Sequence, residues 1–151
     1  MEKPAPKDFI FVSIQLLLFV LYFIPLFDWF IEPYLIVKYI SIAFAIIGVI
    51  IFFIAIIQLD KNLTPFPTPK SNGTLIQSGL YKYIRHPVYS GIILTSLGFG
   101  IYNGIVWRIG IGIMLWILFY FKSIYEEKML SGRFTEYEEY VKKTNRFFPF
   151  L

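Results

Sequence analysis

The sequence lacks cysteine, has a single histidine, His86, and carries few charged residues. The missing thiols exclude disulfide bonds, thiolate metal sites and cysteine nucleophiles, and one histidine excludes a histidine-rich metal cage. Charged residues make up 16% of the 151 residues and hydrophobic ones 57%, whereas soluble domains carry about 25% charged residues. A chain this short cannot bury so much hydrocarbon in water. We therefore predict a single-domain integral membrane protein without a metal site, spanning residues 1–151.

Long apolar segments define the predicted membrane helices. Residues 9–27 and 39–59 contain no charge, and each has about the 20 residues needed to cross the hydrocarbon core. A third apolar region is too long for one crossing and contains the turn signal Asn103-Gly104. We divide it into a short hairpin of helices at 88–102 and 105–125. The predicted fold is all-α, with about four transmembrane helices and a C-terminal amphipathic helix.

Basic residues are distributed unequally between the predicted connections. Of the 14 Lys and Arg residues, only Lys38 and Arg108 lie in the two connections on one side. The others lie at the N-terminus, in the loop at 60–87, and from Lys122 onward into the tail at 126–151. By the positive-inside rule, both termini and that loop are predicted to be cytoplasmic. The basic residues form no single cationic face, so the net charge of +4 indicates the bilayer surface as partner, not nucleic acid.

The long loop and the tail each have a distinct pattern. Pro65, Pro67 and Pro69 alternate with other residues, which imposes an extended course. A connection of this length usually has a function. In the tail, apolar and aromatic residues recur at helical spacing between Lys and Glu residues, so we predict an amphipathic helix on the membrane surface.

The first candidate site is the segment SGLYKYIRHPVYSG at residues 78–91. Pro87 suits the first position of a helix, and the residue before it is kept out of helical geometry. The free N–H groups of such a helix start favour an anionic ligand group, while the rings of Tyr81 and Tyr89 can hold a cation. An alternative interpretation is an ordinary interfacial helix start with aromatic-belt tyrosines.

The second candidate site is formed by Lys122, Glu126 and Glu127 near the end of the fourth predicted helix. Residues four apart share a helix face, so Lys122 and Glu126 lie on one side. Glu127 is turned about 100° away and cannot serve the same ligand equally. The alternative interpretation is a snorkelling lysine paired with a boundary glutamate.

Together the two segments resemble a known family. The pattern GxYxxxRHPxYxG from Gly79, followed by EExxL from Glu126 and a tail with Phe134, Tyr140 and FFP at 147–149, resembles the isoprenylcysteine carboxyl methyltransferases. It is more distantly similar to the membrane phospholipid N-methyltransferases. The resemblance covers about residues 73–151. It implies an integral membrane enzyme that uses S-adenosyl-L-methionine.

The resemblance also implies roles for individual residues. The positions that match the cofactor site are Leu75, Ile76, Tyr81, His86, Pro87, Val88, Tyr89, Glu126 and Glu127. Arg85 and His86 are the expected catalytic residues, and Lys122 the expected substrate-binding residue. The eukaryotic prenylcysteine enzymes have arginine where this chain has Lys122, which keeps the charge but loses the two-pronged donor geometry.

The expected function is methyl transfer to a lipid or small hydrophobic acceptor, by carboxylate O-methylation or amine N-methylation. A carboxylate needs no base, whereas an amine does, and among the side chains only that of His86 has an unperturbed pKa suited to this. Two alternatives are an NADPH-dependent membrane reductase of related fold and a non-enzymatic four-helix membrane protein. The first two predicted helices contain no mid-membrane carboxylate or lysine, which argues against a proton-coupled exporter.

Overall fold

The computed structural model describes residues 4–24, 26–27 and 29–149. Pro25, within the first predicted span, lies outside them. The prediction of an all-α fold is confirmed by five α-helices: α1 (Pro6–Phe23), α2 (Leu35–Leu59), α3 (Pro87–Asn103), α4 (Val106–Arg133) and α5 (Tyr137–Lys143). The long loop between α2 and α3 contains two short 3₁₀ turns, Asp60–Asn62 and Gly79–Lys82.

Within the described ranges, three helices are long and apolar enough to cross a membrane: α1, α2 with its following turn, and α4. The chain is therefore a multi-pass integral membrane protein. The bounds of helix α3 agree with the predicted segment 88–102 to within one residue, but its 17 residues make it shorter than the other three. The four-crossing count stays a prediction.

Local sequence signals explain where α3 begins and ends. Pro87 occupies the first helical position, where its missing N–H is not needed and its fixed φ suits the helix. Gly104 ends the helix in the left-handed region, at φ 68°, which glycine adopts without a Cβ penalty. A Cβ there would lie 2.2 Å from the Ile31 carbonyl oxygen. The predicted turn at Asn103-Gly104 is therefore confirmed, and it packs against the α1–α2 connection.

Helices α3 and α4 lie at the centre of the fold, and each packs against one further long helix. Helix α2 lies against α3 and helix α1 against α4, while α3 and α4 contact each other. The approach of α2 to α3 is close, because a Cβ on Gly91 would lie 2.7 Å from the Phe52 amide nitrogen. The buried core joins α1, α3, α4 and the tail through Leu18, Tyr22, Ile93, Ile111, Leu115, Leu118, Phe119 and Phe147.

The sequence placed two features differently from the structure. Helix α4 continues to Arg133, eight residues past its predicted end at 125, because apolarity marks the membrane-spanning part and not the end of the helix. The predicted tail helix is present as the seven-residue α5, whose Tyr137 and Tyr140 are buried. These rings pack inward on the protein. Contact of this helix with a membrane surface stays a prediction.

Candidate active site

The C-terminal segment is bound to the start of α3 by main-chain hydrogen bonds. Asn145 N donates to Tyr83 O (3.1 Å), Arg85 N donates to Asn145 O (2.9 Å), and His86 N donates to Arg146 O (3.0 Å). The ring of Phe147 then enters the core. We call residues 144–149 the strap, because they cross the helix start and fix Arg85 and His86 in place.

Glu127 joins the strap to the start of α3. Its Oε1 accepts from Arg85 Nε at 3.0 Å and from Arg146 Nε at 3.1 Å, and it lies 3.0 Å from His86 Nε2. Its Oε2 accepts from Arg146 at 2.8 Å. Both oxygens are therefore used by protein partners. The geometry indicates that Glu127 positions the surrounding side chains, whereas its predicted cofactor contact stays a prediction.

Glu126 lies on a different face and has more capacity for a ligand. Its Oε2 accepts a hydrogen bond from the Tyr89 hydroxyl at 2.8 Å and lies 3.8 Å from His86 Nδ1. Its side chain is 26% exposed, against 13% for Glu127. The bond between Tyr89 and Glu126 therefore joins the first turn of α3 to α4.

Aromatic rings continue this arrangement into the helix core. The His86 ring stacks on Tyr89 at 5.3 Å between centroids, and Tyr89 stacks on Phe119 at 4.6 Å. Because Phe119 is fully buried, the stack holds the ring and hydroxyl of Tyr89 in a fixed orientation. We call Tyr89, Glu126 and His86 the wall, since they separate the two cavities that follow.

On the loop side of the wall is a cavity of about 110 Å³. Most of its lining surface is apolar, but we call it the polar cavity because Arg85, His86 and Glu126 line it. It is bounded by the proline-containing loop, the second 3₁₀ turn, the end of α4 and the aromatic side of α5. Among its lining residues are six predicted site residues: Leu75, Ile76, Tyr81, Arg85, His86 and Glu126. The cavity therefore brings together most of the expected cofactor residues.

On the membrane side of the wall is an open apolar cleft of about 770 Å³. Its lining includes three other predicted site residues, Val88, Tyr89 and Lys122, and it is otherwise mostly apolar and aromatic. The two cavities share Thr64 as a lining residue, so they are neighbours. Pro87 is fully buried and lines neither cavity, nor does Glu127.

Lys122 is a buried cation at the loop end of the cleft. Its side chain is 2% exposed, and Nζ donates to Gln15 Oε1 at 2.7 Å and to the Pro65 carbonyl at 2.9 Å. It lies 5.5 Å from the Tyr89 ring centroid. Both acceptors are neutral, so the alternative of a simple Lys122–Glu126 ion pair is not what the structure shows. The charge is available to an anion in the cleft.

The tail contributes aromatic residues that sequence reasoning did not assign to the site. Phe134, Tyr137 and Tyr140 line the polar cavity together with Leu130. The Tyr140 hydroxyl donates to the Tyr81 carbonyl at 2.6 Å, which holds α5 over the cavity. Their helical spacing is the available signal, but it equally fits a membrane-facing pattern, because the sequence does not tell which apolar surface covers them.

The buried tyrosines around this cavity are held in their neutral form. Burial raises the pKa of the Tyr140 phenol to about 12, against a smaller opposing effect of Arg85. Burial, reinforced by nearby Glu126, raises the pKa of Tyr81 as well. Burial also raises the pKa of Tyr137, and nearby Glu127 raises it further. These hydroxyls therefore remain hydrogen-bond donors throughout the physiological range.

The two cavities suit different chemical groups. The polar cavity combines ring faces, a carboxylate and basic side chains. This combination suits a ligand that carries a cationic centre together with an amino-acid group. The cleft offers hydrocarbon contacts with one cation at its end. No group of three or more His, Cys, Asp or Glu side chains suited to a metal ion occurs within the described part of the chain.

Comparison with known proteins confirms the resemblance seen in the motifs. A probable protein-S-isoprenylcysteine O-methyltransferase of Oryza sativa subsp. indica is 30% identical over 125 residues, or 80% of this chain and 65% of the rice protein. The cobalt-zinc-cadmium resistance protein CzcN of Cupriavidus metallidurans is 34% identical over 83 residues, 54% of this chain and 38% of that protein. The chain thus spans a little under two thirds of the rice relative's length.

A solved structure has the same fold. It is that of the eukaryotic intramembrane Ras methyltransferase ICMT, with a TM-score of 0.67 and 20% identity. The match covers 99% of this chain and 55% of that one. A family model described as "Protein of unknown function (DUF1295)" matches residues 2–144, almost the whole sequence. The chain belongs to this family.

Proposed function

We propose that this protein is an integral membrane methyltransferase that uses S-adenosyl-L-methionine to methylate a lipid or small hydrophobic acceptor at the cytoplasmic boundary. The observation that carries the proposal is the wall of Tyr89, Glu126 and His86, which has a polar cavity on one side and an apolar cleft on the other. A water-soluble donor and a membrane-soluble acceptor can meet there. The name of the rice relative supports the same reaction class.

The residues of the polar cavity fit S-adenosylmethionine. Glu126 supplies a carboxylate for the amino group, and the rings of Tyr81, Tyr137 and Tyr140 supply faces for the sulfonium or the adenine. The buried Tyr137 hydroxyl has no partner among the described residues. When bound, the cofactor supplies an activated methyl group. The task left to the protein is positioning and electrostatics.

Arg85 and His86 form the charged edge of this site. Arg85 donates to Glu127 and to the carbonyls of Val141 and Thr144, which fixes its guanidinium beside the cavity. There it can attract the cofactor's carboxylate. His86 is held between Glu126 and Glu127, and it would receive the proton if the acceptor is an amine.

The acceptor would occupy the apolar cleft with its reactive group near Lys122 and Tyr89. Helix α1 packs against α4 and helix α2 against α3, and both line the cleft, so the space between them offers a lateral route from the bilayer. A buried ammonium favours an acceptor with an anionic group, such as a carboxylate. Carboxylate O-methylation and amine N-methylation are both compatible with the site. The former needs no base.

The orientation in the membrane is part of the proposal. The loop and tail that enclose the polar cavity carry most of the basic residues, and the positive-inside rule places them in the cytoplasm with both termini. This is also the compartment that supplies a water-soluble methyl donor. Two variants test this orientation, one with a cysteine at exposed Lys142 and one with a cysteine at exposed Tyr34. In sealed vesicles an impermeant thiol reagent should reach the two cysteines from opposite sides of the membrane.

Methyl transfer can be tested directly. Purified protein is incubated with radiolabelled S-adenosylmethionine and a native lipid extract, and the labelled product is identified by mass spectrometry. Glu126→Gln should abolish most labelling, while the matched control Glu139→Gln, an exposed tail carboxylate, should not. Binding of NADPH instead of the methyl donor would favour a reductase. Binding of neither would favour a non-enzymatic membrane protein.

A further inference from the structure

The apolar cleft has a defined depth. Its lining begins near the wall and runs towards the α1–α2 connection. On each helix two lining residues lie seven positions apart: Gln15 and Tyr22 on α1, Val49 and Ile56 on α2, Tyr89 and Ser96 on α3, and Leu115 and Lys122 on α4; on α3 the lining continues to Phe99. Seven residues of α-helix rise about 10 Å. The level of Tyr22 and Ser96 therefore lies about two helical turns below Lys122.

The deeper level is closed by a braced floor. The Tyr22 hydroxyl donates to the Ser96 carbonyl at 2.6 Å, which joins α1 to α3 across the cleft. Below this bond the Arg108 guanidinium lies 5.8 Å from the Tyr22 ring centroid and 5.4 Å from that of Phe99. A hydrocarbon chain that passed this level would have to break the hydrogen bond and displace a cation from two rings. We call Tyr22, Ser96, Phe99 and Arg108 the floor.

The cleft is wide relative to this depth. A volume of about 770 Å³ over about 10–15 Å of helix gives a mean cross-section of about 50–75 Å². A single extended chain leaves much of that width empty, whereas a branched or cyclic group fills it. Empty apolar space forfeits contacts, so a compact apolar group is favoured over a long linear one.

We propose that the floor limits the acceptor to a short, compact apolar group of about 10 Å behind an anionic head on Lys122. Carbon–carbon bonds of about 1.5 Å at angles of about 111° advance an extended chain by about 1.25 Å each, so this depth corresponds to about eight carbons. Longer chains do not fit with their head on Lys122, and they lie instead outside the cleft along the lipid-facing sides of α1 and α2. Lys122 supplies the charge complementarity for the head. The inference rests on the proposed function, since it describes the acceptor of the same site.

Photolabelling measures this depth without requiring turnover. Two carboxylic acid probes carry a diazirine at the chain end, one with the chain length of nonanoic acid and one with that of palmitic acid. Each is photolysed with the full-length protein in lipid nanodiscs, and the labelled peptides are mapped by mass spectrometry. The short probe should label the α3 floor segment around Ser96 and Phe99. The long probe should shift its label to lipid-facing side chains of α1 and α2.

Variants separate a depth limit from other causes of the pattern. Phe99→Ala should let the long probe label α4 near Arg108, while the control Phe44→Ala, a lipid-facing change on α2 that does not line the cleft, should leave both patterns unchanged. Floor labelling by the long probe on the unaltered protein would overturn the proposal. So would absence of cleft labelling by either probe, the result expected if a helix of a second copy fills the cleft.

The same samples distinguish the two proposals. If the short probe labels the floor but no methyl ester forms from S-adenosylmethionine and decanoic or branched acids of similar length, the methyltransferase proposal fails while the depth limit stands. If methylation occurs on long linear chains as well as on short ones, the depth limit fails while the methyltransferase proposal stands.

Discussion

Adjacent glutamates on α4 should respond differently to the same substitution. Glu126 faces the polar cavity and bonds only the Tyr89 hydroxyl at close range. Glu127 is held by Arg85, His86 and Arg146 and lines neither cavity. Substitution by glutamine keeps the shape of each side chain and removes its charge. We expect Glu126→Gln to reduce cofactor affinity and Glu127→Gln to reduce the stability of the folded protein.

The contacts give the size of each effect. A hydrogen bond to a charged group contributes about 1.5–3 kcal/mol, so loss of the Glu126 charge should weaken cofactor binding about 10- to 100-fold. The Glu127 side chain is 13% exposed and that of its partner Arg146 is 25% exposed. Breaking a buried ion pair costs roughly 3–5 kcal/mol of folding stability, and this partial exposure places the cost of Glu127→Gln near the lower end of that range. About 3 kcal/mol corresponds to a fall of roughly 10 °C in Tm.

Both quantities are measured on the same purified protein. Isothermal titration gives the Kd for S-adenosylmethionine, and thermal unfolding in detergent gives Tm. The exposed Glu139→Gln serves as control for both, since its partner Lys143 is also exposed. If both variants lost the same affinity for S-adenosylmethionine and kept the same Tm, the assignment of Glu126 to the cavity and of Glu127 to the strap would be refuted.

Three further substitutions test other parts of the structure. Gly91→Leu should destabilise the protein by at least the roughly 1–3 kcal/mol typical of overpacking, because even a Cβ would lie 2.7 Å from Phe52 N; an unchanged Tm would contradict the close approach of α2 and α3. Lys122→Met should raise the KM for an anionic acceptor at least tenfold with little change in cofactor Kd, and equal changes in both would place the ammonium in the cofactor site instead. Because the pKa of Tyr140 is about 12 when folded and about 10 when unfolded, its protonated form stabilises the fold, and that contribution is lost as pH rises from about 10 to 12. Tyr140→Phe should therefore show a smaller loss of Tm over this range, and an identical alkaline loss would contradict the burial of this phenol.

Much of the membrane architecture followed from the sequence because apolarity and helix signals are local properties. Pro87 and Gly104 gave the limits of α3 to within one residue of the predicted segment, and the Asn103-Gly104 turn was correct. The end of α4 was missed by eight residues, since Glu126 and Glu127 end the apolar run without ending the helix. Charge marks the membrane boundary, and only capping geometry marks a helix end.

Which side chains meet was less accessible from the sequence. Spacing on α4 indicated a Lys122–Glu126 pair, but Lys122 bonds Gln15, which lies 107 positions away in the chain. A local i, i+4 contact competes poorly with a buried neutral acceptor that the fold brings alongside, because exposed pairs contribute only a few tenths of a kcal/mol. Likewise the pairing of the strap with residues 83–86 depends on the tertiary path of the chain, which local patterns do not record.

The wall explains why the two motifs must occur in one chain at these positions. Tyr89 lines the cleft and Glu126 lines the polar cavity. The 2.8 Å hydrogen bond between them joins the Tyr89 ring and the Glu126 carboxylate into one partition between the two spaces. His86, stacked on Tyr89 at 5.3 Å, fixes the same partition from the side of the strap. A change in the strap can therefore reach both ligands through His86. The Arg146 side chain lines neither cavity but bonds Glu127, whose other oxygen lies 3.0 Å from His86 Nε2. Arg146→Met should consequently weaken donor and acceptor binding together, and a variant that loses only one of the two would contradict this coupling.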